Sequence, residues 1–325
     1  MIWRLSRFAI VASALSLAWT VNVLAEPVGF SSTACKKRIE DSNLNEIVKT
    51  VFVDKIERLA ETNVLPMDFW TDTKDLGFAI CDNGASYDSR VYYGKGVIFD
   101  LQMVIYFLAQ SRALMVGRYI GLETQFTVYE DLVNQFVLQT ASLKGNPLDI
   151  IKAKAIALGV DEQTYEGWIV DAGFQKREQT LFLLSLYFVS LHERCHVALG
   201  HKTKVATIRT LHLPDQVVER QKLELEADAC AIDIINADEA QTNQSPISFF
   251  AVMMTISTQE IIAHKFSQSE EQTHPGTKAR LAAAKERVLT FIANGGVDTD
   301  QKYTATIKGT SAFFEGLLDT YSIPE

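Results

Sequence analysis

Basic clusters are the first thing this sequence lacks. Its 31 Lys and Arg residues stand against 40 Asp and Glu, for a formal charge of −9. No run of Lys or Arg could neutralise a row of phosphates, which excludes nucleic acid as a partner class. The acidity itself reads as solubility. Repeats, low-complexity tracts and linkers are also missing, so the 325 residues read as one mainly helical domain. With 47% hydrophobic and 22% charged residues, the chain has enough apolar material to bury a sizeable core.

Long hydrophobic runs are scarce. The exception lies at the start, where Arg4 and Arg7 precede an apolar stretch, residues 8–25, that ends Val-Leu-Ala before Glu26 and Pro27. That is the layout of a secretory signal peptide cleaved after Ala25. An uncleaved anchor competes, because the stretch approaches spanning length. Ser13, Ser16, Thr20 and Asn22 dilute it and favour cleavage. Residues 26–325 are then a periplasmic or secreted domain.

Cysteine is scarce too, at four, and export makes disulfides permissible. Cys35 and Cys81 have the option of bridging each other. Cys195 and Cys230 read as buried thiols, the commoner fate of a helical Cys, or as a bridge if their two segments pack as helices. Spacing does not choose between these.

What the chain has in quantity is apolar periodicity. Residues 43–62 repeat at helical spacing, with charges between, as expected of an amphipathic surface helix. Residues 63–85 are turn-rich. In residues 90–101, Val, Tyr, Ile and Phe flank Gly94 and Gly96, the signature of a strand or short hairpin. Helical patterns follow at 99–120, 127–143 and 147–158, then a short one at 161–173 that closes on Gly173. Further helices are expected at 247–263 and from 277 to 288. The fold class is therefore mainly α with a small β-sheet near residues 90–100.

Residues 181–201 carry the chemistry. An apolar run, too short to span a bilayer, leads straight into His192-Glu193-Arg194-Cys195-His196. On a helix, residues four apart sit about 40° apart around the axis, so both imidazoles project from one face, as tetrahedral Zn²⁺ requires. Glu193 beside them is placed to take a proton from water rather than to bind metal. Residues 202–221 read as a loop, with a helix starting after Pro214. On the following helix, Glu224 and Asp228 again stand four apart. A carboxylate there is the expected third ligand, Glu224, leaving the fourth position for water. Asp228 is placed to accept the free ring N–H of a ligating imidazole. The alternative is a solvated acidic first turn of Glu224, Glu226 and Asp228. Ala227 is small enough to let the two helices approach.

Three segments, H-E-x-x-H at 192–196, E-x-x-A-D at 224–228 and T-H-P-x-x-x-x-R at 273–280, resemble in their order the gluzincin metallopeptidases. The likeness is closest to the HtpX-like and CAAX-prenyl-protease-like family, which also has a histidine nine residues after the first, as His201 is here. The resemblance covers roughly residues 181–290. It implies a zinc endopeptidase with one Zn²⁺ held by His192, His196 and Glu224. Glu193 would be the base, with His274 and Arg280 at the cleft. It also points to an edge strand near residues 91–99 for laying out substrate, and an extended peptide is expected to pair with residues 92–99 through main-chain hydrogen bonds. The expected partner is a peptide or protein, with peripheral membrane association left open. The rival is a non-catalytic, chaperone-like zinc protein of the cell envelope.

Overall fold

The computed structural model describes residues 34–40, 42–84, 89–93, 95–121, 124, 126–138, 147–242, 247–266, 277–294 and 301–320. The signal-like segment, Gly94 and His274 lie outside them. Helix α1 (Ser42–Lys49) runs through a π-helical turn at Thr50–Asp54 into α2 (Lys55–Glu61). The single helix expected at 43–62 is thus widened at its centre. Its inner face is core, with Val48, Phe52 and Ile56 at 0% exposure.

Helix α3 (Met67–Thr73) precedes three strands, β1 (Gly77–Cys81), β2 (Ser89–Tyr92) and β3 (Gly96–Asp100). They form a sheet of order β1-β3-β2, β3 parallel to β1 and antiparallel to β2. The sheet sits where residues 90–100 place it. Strand β1, in a stretch that reads as turns, does not show in the sequence, because a lone five-residue apolar run has no periodicity to reveal it. Gly96 opens β3 at φ 153° opposite Gly77, and a Cβ there would lie 2.2 Å from the Gly77 carbonyl oxygen, so only glycine permits this parallel register. Phe99 and Asp100 belong to β3, so helix α4 (Leu101–Ile120) starts two residues later than its pattern suggests. Buried Asp100 is held at the strand end by Asn83 and Arg90.

The helices α5 (Thr127–Leu138), α6 (Pro147–Ala157) and α7 (Glu162–Val170) lead to the long α8 (Ala172–Ala198). Asp171 starts α8 by accepting from the Phe174 amide at 2.8 Å. Gly173 therefore lies in the first turn of α8 instead of closing α7. Helix α8 packs against α4 and against three later elements, α9 (His201–Ile208), α10 (Leu213–Thr242) and α11 (Ile247–Phe266). From Leu181 to Leu191 it is apolar almost all round because it is buried almost all round. Leu186, Phe188, Val189 and Leu191 are fully buried, each contributing roughly 2 kcal/mol of burial free energy. Helices α12 (Thr277–Ala293) and α13 (Gln301–Thr320) close the bundle against α10 and α11.

The loop expected from residue 202 to Pro214 is instead mostly α9, whereas α10 starts at Leu213, where a helix was expected. Gly200 adopts the left-handed conformation at φ 64°, which ends α8 and lets α9 turn back at once. Both disulfides form. Cys35–Cys81 fastens the segment before α1 to β1, and Cys195–Cys230 ties α8 to α10. Among the described residues no helix is long and apolar enough to cross a membrane.

Candidate metal centre

Helices α8 and α10 meet over the fully buried Ala227, and at that crossing His192, His196 and Glu224 converge. His192 Nε2 lies 3.1 Å from His196 Nε2 and 3.3 Å from Glu224 Oε2, and His196 Nε2 lies 3.5 Å from Glu224 Oε1. Ligands held tetrahedrally at about 2.0–2.1 Å from Zn²⁺ stand about 3.3 Å apart. Two imidazoles and a carboxylate with those separations fit zinc. They are the one group of His, Cys, Asp and Glu with metal-binding spacing among the described residues.

The partners of the other ring nitrogens bear on the tautomers. His192 Nδ1 meets Asp228 Oδ1 at 2.9 Å, and the Arg280 guanidinium grips both oxygens of that carboxylate at 2.6 and 2.8 Å. A carboxylate can only accept, so His192 donates from Nδ1 and keeps its Nε2 lone pair for an ion. His196 Nδ1 faces His201 Nδ1 at 2.7 Å, and His201 Nε2 faces Glu226 Oε2 at 3.2 Å. Burial, and then the neighbouring His196, hold His201 down at about 4, so it is neutral and carries one ring proton. If Nε2 gives that proton to Glu226, Nδ1 must accept from His196, whose Nε2 is then also free. Lys204 completes the chain by binding Glu226 at 2.6 Å.

Without an ion, His192 is pulled two ways. Burial favours its neutral form, but hydrogen bonds to Asp228 and Glu224 and their charges outweigh it and push it up to about 10. Asp228 is likewise penalised by burial, yet the charge of Arg280 and the bonds from Arg280 and His192 hold it down at about 2.

Glu193 is not one of the three clustered ligands and is 6% exposed. Its Oε1 accepts from the Ser89 hydroxyl at 2.8 Å. Ser89 had no signal in the sequence, since it lies 104 residues away. Tyr93 was missed as well. Burial, then the charges of Glu193 and Glu224, raise its phenol to about 12 and keep it neutral. Arg194 turns into the core, where it donates to the carbonyls of Thr73 and Phe52 and stacks on the Phe52 ring at 4.1 Å.

The structure thus brings His192, Glu193, His196, Glu224, Asp228 and Arg280 together. Arg280 is buried, with its guanidinium on Asp228, which in turn bonds His192. The acidic residues are not a solvated first turn either, because α10 begins at Leu213 and Glu224 lies well inside it. The expected peptide-pairing segment needs correction too. Within residues 92–99, β3 is paired on both sides and can accept no further strand, so among the described residues the outer strands are β1 and β2, and of the expected segment only Tyr92 lies on one of them.

Residues 170–291 match the family model described as Peptidase U49. The match spans every site residue on α8, α10 and α12 and supports a peptidase, without selecting the gluzincin or HtpX-like family. No curated protein and no solved structure matches the chain.

Proposed function

We propose that this chain is an exported zinc endopeptidase. The observation that carries the reading is the triangle of His192, His196 and Glu224 donor atoms at zinc spacing, with Glu193 beside it but not in it. Zinc bound there would supply Lewis-acid chemistry, making water a better nucleophile and polarising the scissile carbonyl. Glu193 takes the proton from the attacking water and returns it to the leaving amine. The neutral phenol of Tyr93 is a donor suited to charge developing on the carbonyl oxygen. Asp228 and His201 hold the two imidazoles by their far nitrogens. An extended peptide adds to the outer edge of β2. Two disulfides in the described chain, together with the signal-like segment of residues 8–25, support export to the periplasm or beyond.

A non-catalytic zinc protein would need the three ligands but not Glu193, and it would close its fourth position. The two readings separate by metal content and cleavage of labelled casein. Wild type should hold about one zinc per chain, and Glu224→Ala should lose it. Glu193→Gln should keep zinc and lose cleavage, whereas His196→Ala should lose both. A folded, oxidised wild type that takes no zinc when supplied with it would overturn the proposal.

A further inference from the structure

Strand β2 shows two faces. Arg90 reaches Asp100 at 3.2 Å, and Tyr92 packs with Ala34, Cys35, Ala79, Cys81 and Ile98. The alternate residues turn the other way, as the strand period of two dictates. Val91 packs against the main core, and Ser89, 7% exposed, reaches Glu193. Of the two outer strands among the described residues, β2 is the one that touches the base.

We propose that Ser89 is a positioning residue that fixes the Glu193 carboxylate to edge strand β2, so that substrate and base are held in one frame. This rests on the peptidase reading above. The hydroxyl engages Oε1 alone, which leaves Oε2 as the oxygen that works on water. A carboxylate gripped at one oxygen keeps its rotamer and its plane, whereas a free one samples several. Ser89 is held in turn by its pairing with Phe99 on the central strand. A peptide adding to β2 would order the same backbone further. The Ser89 bond ends on Glu193, which is not one of the three ligands, so zinc binding should not depend on it.

The test uses the full mature chain, zinc-loaded, with labelled casein as the probe. Ser89→Ala should lower kcat by roughly 10- to 100-fold, with KM and zinc content unchanged, because it removes alignment rather than binding. Ser89→Thr keeps a hydroxyl and should recover most of the loss. A general packing defect would not be rescued in this way. A second readout needs no activity. In the metal-free protein, a denaturation cycle of Ser89→Ala and Glu193→Ala should be non-additive by about tenfold in the unfolding equilibrium. Strict additivity, or a Ser89→Ala enzyme with full kcat, would overturn the proposal. If zinc-loaded wild type cleaves nothing, the peptidase reading fails, and the denaturation cycle alone decides whether Ser89 holds Glu193.

Discussion

Replacing Asp228 by Asn tests the support behind the first histidine. Asp228 is 3% exposed and accepts two bonds from Arg280 and one from His192. Its drop from 3.8 to about 2 corresponds to about 2 kcal/mol of stability at neutral pH. Because the folded value is the lower one, that stability is present above about pH 4 and is lost as the pH falls through 2. The amide keeps the shape and loses the charge, leaving a guanidinium that is 2% exposed without its carboxylate. Removing one partner of a buried pair costs about 3–5 kcal/mol, and the retained amide oxygen recovers part of it. Urea denaturation of the metal-free variant at pH 7 should show a loss of about 3 kcal/mol. Zinc affinity, measured by competition with a chelating dye, should fall roughly 10- to 100-fold as His192 loses its orienting acceptor. Unchanged zinc affinity together with a stability loss below about 0.5 kcal/mol would refute the reasoning, since a buried carboxylate in this role cannot be neutral to remove.

Three further outcomes follow from features away from the ligands. Burial raises Glu239 to about 7, only partly countered by Ser248. Its folded value lies above the unfolded one, so the stability it adds is complete below about pH 4.5 and gone once the pH passes 7. Glu239→Gln should flatten that segment of the pH–stability curve by about 3 kcal/mol, and an unaltered curve would assign the slope elsewhere. Arg194→Met strips the Thr73 and Phe52 carbonyls of a donor and should cost about 2–4 kcal/mol in urea denaturation; a neutral result would show that water replaces the guanidinium. Cys195→Ser with Cys230→Ser opens a loop with a sequence separation of 35 and should lower stability by about 4 kcal/mol, read from the denaturation midpoint of the metal-free protein.

The metal helix was legible because its signal is local. His192, Glu193 and His196 lie within two turns, and the apolar run before them has helical length. Glu224 and Asp228 were legible for the same reason. The start of α8 was not, since a glycine at 173 reads as a stop while the cap that overrides it, Asp171, is an ordinary polar residue. Strand β1 stayed hidden because parallel pairing joins it to β3 across an intervening strand. Ser89 reaches Glu193 through sheet register and strand face, which no single segment encodes, and Tyr93 lies in the turn just after that strand. His201 shows the intermediate case. Its place in the sequence was visible, but its grip on His196 depends on the left-handed turn at Gly200.

The Cys195–Cys230 bond has a consequence beyond holding two helices. Along the chain, 28 positions separate His196 from Glu224, but the crosslinked path from one to the other is roughly a quarter of that. Effective concentration between tethered groups rises about as the inverse three-halves power of tether length, which makes the gain several-fold. Where heat or denaturant parts α8 from α10, the crosslink survives and keeps the imidazole pair and the carboxylate on one short loop. If the three side chains bind zinc as proposed, the oxidised chain should still act as a tethered multidentate ligand where its helix packing is lost.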